Sequence, residues 1–249
     1  MNDMYRVICI LAEQNNVLQL PLSVALRADD NFNNFYTAQN ATLIDKVQTQ
    51  IENQENDGAI FYWGKPASGK THVLQAVCDK ATKLKLRAVY IPLSVANELD
   101  AEMLKGLETY DVICIDDIDN VAGNSQWEKA LFELYNRAQE NQAQMYFSSS
   151  CAIKEIPIKL PDLSSRLSWG LVFQLQSLTD DDMPTALQMH AKARGFELPD
   201  NVVLYLLKRY PRDMTKLLSL IDELDKATLT AKRKITIPFV KEWLEPSPS

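Results

Sequence analysis

The sequence predicts an α/β domain built on a five-stranded parallel sheet with helices on both faces, followed by a small all-helical domain. Three observations carry that reading. Short β-rich runs alternate with helical stretches through the first two-thirds of the chain; a glycine-bounded loop joins the first of those runs to a helix; and beyond residue 176 the β-rich runs cease and each segment reads as helix. With 249 residues, 46% apolar and 24% charged, the chain can build a large and a small domain, each with its own core.

Taken in order, residues 1–28 form an N-terminal segment. Its opening MNDMYRVICIL holds a short apolar run behind a single arginine, and Glu13 and Gln14 stand where a cleavage site would need small residues, so it reads as neither a signal peptide nor a span. The stretch TLIDKVQTQIENQEN, residues 42–56, places Leu43, Ile44, Val47 and Ile51 on one face and predicts an amphipathic helix capped by Thr42. Strands are expected at Ala59 to Trp63, Ala88 to Ile91, Asp111 to Ile115, Gln144 to Ser148 and Leu171 to Leu175, mostly separated by helical segments, which completes a base domain over 29–176. In 177–249, LTDDDMPTALQMHAKARGF, PDNVVLYLLKRY, PRDMTKLLSLIDELDKATLTA and TIPFVKEWL all read as helix, punctuated by Gly195, Pro199, Pro211 and Pro238. Because no flexible linker marks the change near Ser177, the two parts are expected to share a cleft.

Composition excludes several classes of function. A net charge of -7 and a pI near 5.0 argue against a broad phosphate-gripping surface, so direct sequence-specific DNA binding is not expected. Cys9, Cys78, Cys114 and Cys151 form no CxxC pair and read as small buried hydrophobes in a reducing compartment. Two histidines cannot build a histidine-rich metal site. No apolar run approaches the roughly 20 residues of a membrane span, and the expected location is the cytoplasm.

The chemistry begins at GKPASGKT, which is Gly64, Lys65, Pro66, Ala67, Ser68, Gly69, Lys70 and Thr71. It satisfies the GxxxxGKT pattern and lies between a strand and a helix, the context that pattern requires. Gly64 and Gly69 let the backbone curl so that its N–H groups meet phosphate oxygens at the helix N-terminus. Lys70 would reach the terminal phosphates, and the Thr71 hydroxyl would ligate Mg2+. The second part is VICIDDID, where Asp116 and Asp117 follow a buried strand: Asp116 is assigned to the magnesium shell and Asp117 to orienting or deprotonating the attacking water. NKxD, which reads guanine, is absent.

A P-loop domain followed by a helical lid resembles the AAA+ proteins, and SGKTHVLQA, CIDDID, ALFELYNRAQE, LPDLSSRLSWG, RGFELPD and RKITIPFVKE resemble the DnaA branch of that family from about Leu18 to Trp243. The resemblance implies an AAA+ base and lid, an adenine nucleotide (ADP or ATP) with Mg2+, and roles for single residues. Arg166 matches the arginine finger that acts in trans on a neighbour, and Arg212, on a lid helix, matches the sensor 2 arginine. At sensor 1 the branch has Thr-x-Asp, whereas this chain has Ser148, Ser149 and Ser150, with Ser150 at the aspartate position. A short neutral side chain there favours holding a nucleotide over fast hydrolysis. DNFNNFYTAQN lies where the branch places its nucleobase loop, so Phe35 and Tyr36, and His72 on the ribose side, are candidate nucleotide contacts or core residues. No basic helix-turn-helix is expected after the lid.

Within that resemblance VLQLPLSVAL takes on meaning. Gln19, Leu20, Leu22 and Val24 fit the QxxLxΦ peptides that dock on the DNA polymerase III sliding clamp, with the Gln amide at the pocket rim and the apolar side chains in the groove. The implied function is regulatory inactivation of the initiator DnaA: a nucleotide-bound protein, tethered to the DNA-loaded clamp, uses Arg166 to stimulate hydrolysis of DnaA-bound ATP. Self-association through AAA+ interfaces is a further implied contact. The alternatives are an autonomous ATPase acting as a loader or remodelling factor, and a protein in which the nucleotide only fixes the pose of base and lid.

Overall fold

Val112, Ile113, Cys114 and Ile115 are an uninterrupted apolar run in a chain where such runs are short. They form the interior of strand β3 (Val112–Asp116), all five residues of which are buried. The computed structural model describes residues 30–54, 58–231 and 233–244. Around β3 lie β1 (Ile60–Trp63), β2 (Ala88–Pro92), β4 (Gln144–Ser149) and β5 (Leu171–Gln174), in the order β2-β3-β4-β1-β5. Every pairing is parallel. The five expected strands are present, with ends shifted by a residue or so; Asp116 is the last residue of β3 rather than the first residue past it.

Side chains on a strand alternate between faces, and the sheet divides its apolar residues accordingly. Phe61, Ile113, Ile115, Met145 and Phe147 share one core with Trp127, Leu131 and Leu134 of α3 (Ser125–Glu140) and Leu163 and Leu167 of α4 (Pro161–Trp169). Helix α2 (Lys70–Lys83) packs on the sheet over β2, β3 and β4, and α1 (Ala41–Asn53) packs on α2. Thr42 does not cap α1. The helix starts one residue earlier, and the residue before it, Asn40, spends its side-chain amide on the Gln176 backbone, donating to the carbonyl at 2.9 Å and accepting from the N–H at 2.8 Å.

Gly170, between α4 and β5, is required by close approach: a Cβ there would come within 1.8 Å of the Ala59 carbonyl oxygen. The chain therefore passes from α4 into β5 directly against Ala59, whose carbonyl accepts from Leu171 N–H at 3.0 Å.

The described residues divide into two compact units, one comprising 30–32 with Gln39–Ser177, the other Asn33–Ala38 with the described residues from Leu178. The second holds α5 (Met183–Ala193), α6 (Asp200–Arg209), α7 (Met214–Ala231) and α8 (Ile237–Leu244). Its core is Leu187, Val203, Leu206, Leu217, Ile221, Leu224 and Val240. The LTDDD stretch expected to open a helix precedes α5, which starts at Met183. Buried His190 bonds Asp222 at 2.8 Å, so this histidine is satisfied within the core. Cys78 and Cys114 are free and buried, in keeping with their hydrophobic reading. No described helix is long and apolar enough to cross a membrane.

Candidate functional site

The phosphate-loop motif lies where β1 runs out and α2 begins. Gly64 N–H donates to Ser149 O at 3.1 Å, and the Tyr62 hydroxyl donates to Lys70 O at 3.1 Å, so the loop is pinned at both ends. Gly69 takes φ 96° and Ala67 φ 62°, the left-handed values that reverse the chain. At Gly64 a Cβ would stand 2.6 Å from Ser68 Oγ and 2.7 Å from Leu175 O, which leaves no room for a side chain. Lys65, Pro66 and Ala67 are exposed, while Ser68 is buried with its hydroxyl unpartnered. A buried hydroxyl without a partner beside the free N–H groups of a helix N-terminus suits a phosphate oxygen.

Opposite the loop, three hydroxyls converge on Asp116, which is 3% exposed. Thr71 Oγ1 donates to Oδ2 at 2.7 Å and Tyr90 Oη to the same oxygen at 2.6 Å, while Ser148 Oγ donates to Oδ1. Sheet order explains the meeting, because Tyr90, Asp116 and Ser148 come from adjacent strands β2, β3 and β4. Burial first and the neighbouring Asp116 second push the Tyr90 phenol well above its usual range, so it remains a donor. Tyr90 is not among the residues the sequence singles out, whereas Ser148 stands at the threonine position of the sensor 1 motif. The only trace of Tyr90 there is a hydroxyl in an otherwise apolar strand.

Asp117 follows in a left-handed conformation, φ 53°, with its N–H donating to Ser148 Oγ at 2.9 Å. Its carboxylate lies 3.7 Å from Lys70 Nζ, which also donates to Gly64 O at 3.2 Å. Burial first and Asp116 second push the Asp117 pKa up to about 6, against a lowering pull from Lys70. A proton acceptor poised near neutrality, beside a cation and a ring of hydroxyls, can orient or deprotonate a water.

Because Asp117 titrates near 6 when folded and at 3.8 ordinarily, the native chain binds this proton more tightly than the unfolded one. The stability it contributes is complete below the lower value and is lost as pH rises through the higher. Asp117→Asn cannot ionise, so its melting temperature relative to wild type should climb between about pH 4 and pH 7. The amplitude should be small, since 31% of the side chain meets water. Parallel melting profiles across that range would contradict the assignment.

Among the described residues no cluster of three or more His, Cys, Asp or Glu could by itself hold a metal. Mg2+ does not need one: it is commonly held by one or two carboxylates, phosphate oxygens and water. Thr71 and Asp116, two hard oxygen donors already 2.7 Å apart, fit that requirement.

The other expected residues are placed as follows. Ser150 lies past the end of β4 and donates both its N–H, at 3.1 Å, and its hydroxyl to Asp119; it is Ser148 that touches the acidic pair. Burial alone would raise the Asp119 pKa, but the Ser150 bonds outweigh it and hold it below the usual range. His72 bonds the Asn31 carbonyl at 3.1 Å, with Asp30 at 3.7 Å, and so anchors the segment at 30–31. In the second unit Phe35 is buried, Tyr36 bonds Asp182, and Arg212 pairs with Asp180. Arg212 is not on a helix: it sits in the bend two residues before α7, because Pro211 breaks the chain there. Arg166, on the last turn of α4, is half-buried, its guanidinium 5.3 Å from the centre of the Trp169 ring, which is 75% exposed. Gln19, Leu20, Leu22 and Val24 lie outside the described residues.

Comparison with known proteins fits this geometry. The model of the bacterial DnaA ATPase domain matches residues 26–174, and that of the Hda lid domain matches residues 180–244. Domain III of the Thermotoga maritima replication initiation protein DnaA superposes with TM-score 0.73 at 19% identity, covering 89% of this chain and 98% of that one. AMPPCP-bound DnaA from Aquifex aeolicus gives 0.65 at 21% identity, over 79% of this chain and 65% of that one. The Thermotoga maritima RuvB branch migration motor gives 0.62 at 15% identity, over 87% and 72%. With the first family model alone spanning more than half of its length, the chain belongs to the bacterial DnaA ATPase-domain family and is an Hda-like member of the DnaA branch of the AAA+ proteins.

Proposed function

We propose that this chain binds an adenine nucleotide with Mg2+ at Gly64 to Thr71 and Asp116, and in that form stimulates hydrolysis of ATP bound to DnaA by presenting Arg166 in trans. AMPPCP in the Aquifex structure supports an adenine nucleotide as the ligand. The observation that carries the trans role is Arg166 itself. Among the described residues it forms no ion pair; its guanidinium instead lies over an exposed ring at the end of α4. A planar cation held at the surface and not engaged by a carboxylate suits charge developing on a transferred phosphoryl group of another chain. The sliding clamp would supply the meeting place, through Gln19 to Val24, by raising the local concentration of this chain at DNA.

The test incubates DnaA loaded with labelled ATP with this protein, with and without clamp loaded on DNA. Gln19→Ala should reduce stimulation about tenfold or more when clamp is present and leave the weaker clamp-free rate unchanged. Stimulation indifferent to the clamp and to Gln19 would remove the tether from the scheme. A second reading, an autonomous ATPase, draws on the complete set of Lys70, Thr71, Asp116 and Asp117 around one loop. It requires substantial turnover by the isolated chain, lost in Asp117→Asn.

A further inference from the structure

Glu128 is a buried acid that the chemistry above does not use. It lies in the first turn of α3 and is 2% exposed, yet no cation pairs with it among the described residues. Its carboxyl group is spent on backbone N–H donors from two separate loops. Oε1 accepts from Gly123 at 2.6 Å and Lys159 at 3.0 Å; Oε2 accepts from Lys159 at 3.1 Å and Leu160 at 2.8 Å. Burying a carboxyl group is costly unless it is fully hydrogen-bonded, and here the bonds come from Gly123 and from Lys159 and Leu160, segments 36 residues apart in sequence.

The two segments are the two halves of the proposed function. Gly123 ends the stretch that begins at Asp117, runs through a 3-10 turn over Ile118–Val121, and carries Asp119 with its bonds to Ser150. Lys159 and Leu160 are the last residues before α4, Leu160 being its N-cap, and α4 carries Arg166. The Leu160 side chain cannot cap the helix, and Pro161 contributes no N–H, so Glu128 is what ties down the backbone at this end. The loops also lie close together: a Cβ added at Gly123 would be 3.9 Å from Pro157 O.

We infer that Glu128 is a positioning residue for Arg166, a staple that sets α4 against the loop following the acidic pair, so that the pose of the arginine depends on the chain's own nucleotide site. The inference rests on the proposed trans role of Arg166. Glu128→Gln keeps the side chain's size but turns an NH2 group toward backbone donors. Glu128→Asp keeps the acid but shortens it, so that it loses its reach to Lys159 and Leu160.

Both variants are measured as full chains with ADP and Mg2+ bound. Amide exchange at Lys159 and Leu160 should accelerate at least tenfold, and the maximal rate of stimulated DnaA-bound ATP hydrolysis should fall at least tenfold. The DnaA concentration giving half-maximal rate, and the chain's own affinity for ADP, should stay within about twofold, which a general loss of folding would not allow. If the two amides exchange at the wild-type rate in a folded variant, the staple does not exist, whatever Arg166 does. If exchange accelerates and Arg166→Ala abolishes stimulation while the Glu128 variants stimulate fully, the staple exists but does not pose the arginine, and the inference fails. If Arg166→Ala itself stimulates normally, the proposed function fails instead, and that result is separable from the other two.

Discussion

Arg166→Ala is expected to abolish stimulation of ATP hydrolysis on DnaA, by roughly a thousandfold or more, while nucleotide binding by this chain stays within a factor of two. The magnitude follows from what a guanidinium does in phosphoryl transfer: it neutralises charge that exists only in the transition state, an effect on the order of 10³–10⁵ where arginine fingers act. The selectivity follows from position. Arg166 is on the last turn of α4 and contacts Trp169, whereas the loop, Lys70 and Asp116 are built on β1, α2 and β3. Folding should barely notice the change, because the stack on Trp169 is worth only about 0.5–1 kcal/mol at an exposed site. Arg166→Lys keeps the charge but not the planar fork and should recover only a small part of the rate. Single-turnover hydrolysis of labelled ATP on DnaA, with DNA-loaded clamp present, measures both variants. A wild-type rate in Arg166→Ala would end the trans mechanism.

Features that depend on local pattern are legible in this sequence, and those that depend on which strands are neighbours are not. The five strands follow from periodicity, and the sheet bears them out; the loop at Gly64 to Thr71 and the acidic pair follow from motif spacing and lie at the ends of β1 and β3. Tyr90 could not be found that way. AVYIP reads as an ordinary strand, and only the adjacency of β2 and β3 brings its hydroxyl to Asp116. Ser148 and Ser150 show the same limit: alignment to a motif favoured Ser150, but pleating turns Ser148 toward the acid and leaves Ser150 beyond the strand with Asp119. Glu128 resembles any solvated glutamate in the first turn of a helix until the loop at 157–160 is seen to cover it. Thr42 lies inside α1, and Asn40 at the N-cap position gives its side-chain amide to the Gln176 backbone rather than to the first N–H groups of the helix.

Lys70→Ala should weaken binding of ADP and ATP by roughly a hundredfold, since a hydrogen bond to a charged group contributes about 1.5–3 kcal/mol and this lysine is 9% exposed, in a poorly screened position. The substitution has a second consequence, read at Asp117. Lys70 is the group that lowers the Asp117 pKa, against burial and Asp116, which raise it. With the cation gone, Asp117 should bind its proton more tightly than the value of about 6 it has beside Lys70. Stability lost through its ionisation should then disappear at a higher pH than in wild type, because the folded value rises while the unfolded one does not. The two effects separate binding from acid chemistry: calorimetry with Mg-ADP reports the first, and the pH profile of the melting temperature, compared with Asp117→Asn and with the double variant, reports the second. In the double variant the pH shift should vanish while the loss of ADP affinity persists. If ADP affinity is unchanged in Lys70→Ala, nucleotide does not bind at this loop. If affinity falls a hundredfold and stimulation of DnaA by saturating Lys70→Ala protein persists without nucleotide, Arg166 is posed by the fold alone. Loss of both would instead make the bound nucleotide a requirement for posing it.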